Sequence, residues 1–272
     1  MGLPLLSPYL QSIGSDYRHG ANFATLASTV VQPTTSVFFT GTSPFYLGVQ
    51  VNQMKAFRNK VISSGGKNGM EKKLIVTGSG LCMCWLGLVN FLPLMFLDLY
   101  NIGARNFMVF NMAPIGCYPA FLTQLPHSSN DLDEYGCMKT YNSGVIYYNE
   151  LLKNSLAELR KKLPGASIVY IDKHSVVLEL FRHPNAHGLK YGTKACCGYG
   201  GGSYNFNQNV YCGNSKVLNG QTATGTACGD PQNYVSWDGI HTTEAANNKI
   251  ASAVISGSYS YPAFSLSKLC SP

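Results

Sequence analysis

Charge is what this sequence has least of. Only 12% of its 272 residues are charged, 20 Lys and Arg against 13 Asp and Glu, for a net charge of +7. The basic residues are scattered. Their densest run, Arg160-Lys161-Lys162, ends a helical pattern, where cations complement the helix dipole. Nucleic-acid binding needs a basic stripe or face, so this distribution argues against it. A secretory leader is also missing: Met1-Gly2-Leu3-Pro4-Leu5-Leu6-Ser7-Pro8 lacks a basic start, has too short an apolar run and contains early prolines. There is no internal repeat and no G-x-S-x-G nucleophile elbow. No Cys-x-x-Cys pair accompanies Cys196-Cys197, which leaves zinc poorly supported, and neither a metal nor any other cofactor is expected.

Cysteine, by contrast, is plentiful. Cys117, Cys137, Cys196, Cys197, Cys212 and Cys228 lie in loops rich in Gly, Asn and Tyr, where disulfides staple irregular chain, which predicts an oxidising compartment. That expectation conflicts with the missing leader, and the simplest resolution is a chain truncated at its N-terminus. With 45% hydrophobic residues, the length suits one α/β domain over residues 1–272.

Hydrophobic spacing predicts alternating helices and strands. Ser43-Pro44 starts a helix carrying Leu47, Val51, Met54 and Val61. Residues 105–112 read as a buried strand ended by Ala113-Pro114. Val145, Tyr148, Leu152, Leu156, Leu159 and Leu163 form a helical stripe that Pro164-Gly165 stops. Residues 167–172 form a second strand and 174–182 another helix. Residues 190–229 read as one long loop, and a last helix follows Thr242-Thr243-Glu244. Strands separated by helices argue for a parallel sheet with helices on both faces.

Residues 74–97 do not fit this scheme. They contain no charge and have the length and hydropathy of a membrane span, but Gly78, Gly80, Gly87, Asn90 and Pro93 interrupt them. A buried strand-turn-helix, or sequence foreign to the fold, is the better reading. Gly78 and Gly80 are expected to cut the strand short, and the segment to pack poorly or to occupy the space left by an absent central strand, without forming a regular spanning helix.

The candidate chemistry lies at Trp237-Asp238-Gly239-Ile240-His241, just before the last helix. A base needs an imidazole with one nitrogen held by a carboxylate so that the other can take a proton from a nucleophile, and this spacing brings both groups to one rim. The alternative is a Trp-Asp turn that only caps the helix. No nucleophile is equally legible. Ser79, between Gly78 and Gly80, reads as a turn residue, and Ser15 and Ser236 have less behind them. His19 and His187 are candidates to line a cleft, whereas His127, His174 and His183 read as surface or capping groups.

Four blocks carry a resemblance. Arg18-His19-Gly20-Ala21-Asn22-Phe23-Ala24 resembles the second conserved block of plant GDSL-type esterases/lipases of the SGNH hydrolase superfamily, and Ala113-Pro114-Ile115-Gly116-Cys117-Tyr118-Pro119 resembles their fourth. Residues 190–200 are similar to their cysteine loop, and residues 234–241 to the block carrying the catalytic Asp and His. The nearest branch is the one labelled fucosidase or acetylesterase. The resemblance implies a secreted protein with a flavodoxin-like three-layer α/β/α sandwich around a parallel sheet. It implies hydrolysis of a small-molecule, lipid or acylated-glycan ester by a Ser-His-Asp relay, with His241 as base, Asp238 as its orienter and Gly20 as an oxyanion-hole donor. The Gly-Asp-Ser nucleophile block, expected upstream of Met1, and the Gly-x-Asn-Asp block, expected near residues 74–97, are missing. That predicts an incomplete sheet and impaired catalysis, or an inactive remnant that still binds a ligand. Cys117 is expected to pair with Cys137, and Cys196, Cys197, Cys212 and Cys228 among themselves, leaving Cys82, Cys84 and Cys270 over.

Overall fold

The computed structural model describes residues 5–11, 13–17, 20–25, 28–29, 32, 43–63, 75–79 and 87–264, giving backbone alone at 75–79 and 87–91. The architecture is α/β. The chain divides into two compact units, residues 1–108 with 151–168 and residues 109–150 with 169–272.

In the first unit, β1 (Ser7–Pro8) pairs in parallel with β2 (Ala21–Asn22). Helix α1 spans Leu47–Ser63. It starts later than Ser43-Pro44, because the Ser43 hydroxyl accepts the Phe45 N–H (3.1 Å) in a local turn and is spent before the helix begins. The Phe57 ring lies edge-on to Tyr9, Tyr17 and Phe23, with centroids 5.3–6.1 Å apart.

The apolar run from residue 74 becomes a strand and a helix. Strand β3 (Ile75–Ser79) continues through Gly78, so glycine does not stop it there; Gly80 lies outside the described residues. Helix α2 (Gly87–Asn101) contains Pro93, which removes one hydrogen bond to the preceding turn, yet Leu92, Phe96 and Leu99 are buried on one face. Phe96 packs on Phe107 with ring centroids 4.8 Å apart. The described side chains of this helix are therefore packed along one face, while Leu94 and Leu97 on its other face are exposed. No described helix is long and apolar enough to cross a membrane.

Strand β4 (Asn106–Phe110), helix α3 (Pro119–Gln124), helix α4 (Lys139–Lys162) and strand β5 (Ser167–Ile171) follow. The predicted stripe of α4 is buried in full: Val145, Tyr148, Leu152, Leu156 and Leu159, with Leu163 just beyond. β4 and β5 run in the same direction, since Ser167 N–H donates to the Arg105 carbonyl (2.6 Å) and Asn111 N–H to the Ile171 carbonyl (3.0 Å). Strand order in this sheet is β10-β5-β4-β3, where β10 (Ser260–Tyr261) runs antiparallel to β5.

In the second unit, Asp172 caps helix α5 (Lys173–Arg182) by accepting the Ser175 N–H (3.1 Å). His174 is a correction: it is only 6% exposed, because α5 turns this position inward, and its Nε2 has no hydrogen-bond partner among the described residues. The long loop is also more ordered than its composition suggests. It holds β6 (Tyr191–Ala195) and the hairpin of β7 (Ser215–Leu218) and β8 (Gln221–Thr224). At the hairpin's turn Asn219 and Gly220 both have positive φ, 50° and 81°, as a two-residue primed turn requires. β6 pairs in parallel with β9 (Tyr234–Ser236), and helix α6 (Glu244–Ser256) buries Ala246, Ile250 and Val254.

Candidate active site

Strand β9 ends one residue before Trp237, and α6 begins at Glu244, so the intervening turn must reverse the chain within a few residues. Thr243 sets the exit. Its hydroxyl accepts the Ala246 N–H (3.1 Å) as the helix cap and donates to the Tyr234 carbonyl (2.6 Å). Trp237 N–H donates to the His241 carbonyl (2.8 Å), closing the turn. Gly239 at its tip has φ +95°, a conformation that L side chains rarely adopt. The Gly239 N–H donates to the buried Ser236 hydroxyl (3.1 Å), so that serine is a structural group of the turn.

This geometry brings Asp238 and His241 together. His241 Nδ1 lies 2.7 Å from Asp238 Oδ2, while Asp238 Oδ1 accepts the backbone N–H groups of Ile240 (2.9 Å) and His241 (2.8 Å). Partial burial pushes the Asp238 carboxyl up, but the His241 N–H, the imidazole and the Ile240 N–H outweigh it and hold the group below its ordinary value. The carboxylate is thus a fixed anion behind an imidazole whose side chain is 58% exposed.

Two other blocks singled out in the sequence meet this turn. The Ala120 N–H, at the start of α3, donates to the Gly239 carbonyl (3.1 Å). Upstream of it, Gly116 N–H donates to Asn142 Oδ1 (2.9 Å), and the Cys117–Cys137 disulfide closes the segment. From the cysteine loop, Cys196 N–H donates to the Ser236 carbonyl (3.0 Å) and Cys197 N–H to the Trp237 carbonyl (2.6 Å). The disulfides Cys196–Cys228 and Cys197–Cys212 complete the expected set, so these six sulfurs are not free to bind zinc. Cys82, Cys84 and Cys270 lie outside the described residues.

The other candidates are not part of this turn. Gly20, in the first unit, has φ +120°, and its N–H donates to the Tyr17 carbonyl (3.1 Å). Ser79 ends β3 with only its backbone described, and His19 is outside the described residues. His187 sits 3.3 Å from Glu179 Oε1 and is a surface partner of α5. Sequence reasoning missed Phe206, whose ring abuts Gly239, and the two cysteine N–H groups that hold the turn. The latter follow from parallel pairing of β6 with β9, which Tyr191-Gly192-Thr193-Lys194-Ala195 does not signal by any apolar alternation.

Comparison with known proteins gives the family. The chain is 49% identical to a GDSL esterase/lipase of Arabidopsis thaliana, over all of this chain and 78% of that protein. It is 37% identical to an esterase of Hevea brasiliensis, over 98% of this chain and 75% of the relative. It is also 33% identical to a protein named alpha-L-fucosidase 3 of Arabidopsis thaliana, over 99% of this chain and 78% of that one. Residues 88–254, which contain the Asp238–His241 turn, match the family model described as GDSL-like lipase/acylhydrolase, and the chain belongs to that ester-hydrolase family.

Proposed function

We propose that the site of this chain is one built for carboxylic ester bonds, with His241 as general base and Asp238 as the group that orients it. The observation that carries this reading is the 2.7 Å contact between His241 Nδ1 and the Asp238 carboxylate. With Nδ1–H held there, Nε2 is the nitrogen that takes a proton from the attacking hydroxyl. The imidazolium formed is stabilised by a carboxylate that backbone N–H groups keep ionised. Gly20 is the proposed oxyanion donor, a role in which its N–H exchanges the Tyr17 carbonyl for the substrate oxygen.

We further propose that the 272 residues alone are catalytically impaired. Neither a Gly-Asp-Ser nor a Gly-x-Asn-Asp tetrapeptide block occurs among them. The alignment with the Arabidopsis esterase/lipase runs to 298 positions, so that relative has residues in the matched region that this chain lacks, which supports the reading. Lipid, acylated-glycan and small esters are the proposed substrates, in line with the relatives' names. The three disulfides support a secreted setting. The test is hydrolysis of p-nitrophenyl acetate by the purified chain. We expect a rate no higher than that of His241→Ala, because a base and its orienter without a nucleophile can only activate water. Turnover abolished by His241→Ala would overturn the impairment and make Ser79→Ala the next variant.

A further inference from the structure

The loop between Cys196 and Cys228 grips the turn from which Asp238 and His241 project. The carbonyls of Ser236 and Trp237, the two residues before Asp238, are bound by the N–H groups of Cys196 and Cys197. Each of these cysteines is anchored by its own disulfide, to Cys228 and Cys212 respectively. The loop then folds back on itself. Ala195 N–H donates to the Tyr204 carbonyl (2.9 Å), Asn205 Nδ2 donates to the Ala195 carbonyl (3.0 Å), and Asn205 Oδ1 accepts the Gly201 N–H (3.1 Å). Asn205 adopts φ +47°, and Gly198 comes so close to the Asn205 carbonyl that no side chain fits between them. The residue delivered by this fold-back is Phe206. Its ring lies so close to Gly239 that a β-carbon there would collide with it, Cε2 being 2.9 Å from that position.

We propose that Phe206 is a positioning residue for the Asp238–His241 pair: its ring, held in place by the stapled loop, presses Gly239 into the left-handed turn that puts the His241 N–H and imidazole on the Asp238 carboxylate. This rests on the reading of the pair as base and orienter, but its physical content is separable from turnover. A left-handed residue between a carboxylate and its donors is a free hinge unless something packs against it. Here one face is the Phe206 ring and the other side is tied by Ala120 N–H to the Gly239 carbonyl. Phe206 and Tyr211 are also ring neighbours, with centroids 6.2 Å apart, so the Cys197–Cys212 staple borders the same aromatic wall.

The experiment is an NMR titration of the Asp238 carboxyl carbon in the oxidised full chain, with the resonance assigned by its loss in Asp238→Asn. The parent should titrate below the ordinary carboxylate range. In Phe206→Ala the midpoint should move up toward the ordinary value while thermal unfolding stays cooperative, because the donors to Asp238 are no longer held. Phe206→Tyr, which keeps the ring, should restore the parental midpoint, and Phe206→Leu should give a smaller upward shift. Parental midpoints in folded Phe206→Ala and Phe206→Leu would overturn the proposal. So would unfolding of both variants, which would make Phe206 a core residue and not a positioning one. Turnover well above buffer that His241→Ala leaves intact would sink the reading of His241 as base, and a low-titrating parent would still leave the positioning role of Phe206 standing.

Discussion

At the scale of single residues, the turn between β9 and α6 shows how far spacing alone can reach. Asp238 and His241 are three apart, and a chain reversal over that distance needs no help from remote sequence to put a carboxylate on an imidazole. What spacing cannot show is why the reversal is left-handed at Gly239 or what holds it there. Phe206 lies far upstream, and only the fold of the cysteine loop sets its ring on the glycine. Gly239→Ala tests this directly. The substitution places an L residue at φ +95° and drives its methyl group into Phe206. We expect a loss of about 1–3 kcal/mol from the backbone strain alone, with more from the collision, read as a lowered midpoint in chemical denaturation. An unchanged midpoint would mean that the turn relaxes freely and that Gly239 is not under constraint.

At the scale of elements, apolar patterning made α4, β4, β5, α5 and the last helix legible, and the elements without it were not. α4 was readable because six large side chains recur at helical spacing and all are buried. The start of α1 was misplaced because Ser43-Pro44 has the chemistry of a helix cap but uses it in a turn. The strands within residues 190–229 were hidden because they are only four or five residues long, carry few large apolar side chains and sit in a stretch rich in glycine and cysteine. α5 carries a pH dependence that its sequence does not announce. His174, on its first turn, is pushed down by burial; Asp172 opposes that shift and Arg182 adds to it. The unfolded chain therefore takes up a proton near the ordinary value of 6.5 while the folded chain resists it. Stability from this group is full at higher pH and falls as pH drops through 6.5 toward the lowered folded value. We expect urea midpoints to decline between pH 7.5 and mildly acidic conditions, and the decline to flatten in His174→Phe. An equal decline in that variant would assign it to other groups.

At the scale of the molecule, the oxidised cysteines are what allow so irregular a stretch to serve as scaffold. Cys197–Cys212 closes 15 residues of chain and Cys196–Cys228 closes 32. Removing a link over a loop of about 15 residues costs roughly 3 kcal/mol. Reduction, or the paired Cys197→Ser/Cys212→Ser variant, should therefore lower the thermal midpoint by several degrees, and unchanged melting under reductant would show that hydrogen bonds alone hold the loop. The sequence by itself determined the α/β class, the disulfide partners as sets, and the contact between Asp238 and His241, because all of these depend on local spacing or on residue types with one dominant chemistry. Tertiary structure alone decided that β3 runs on through Gly78, that Leu92, Phe96 and Leu99 are the buried face of α2, that His174 is enclosed, and that Phe206 bears on Gly239. Each of those depends on which surfaces meet across long stretches of chain, and burial is a property of the partners a residue acquires.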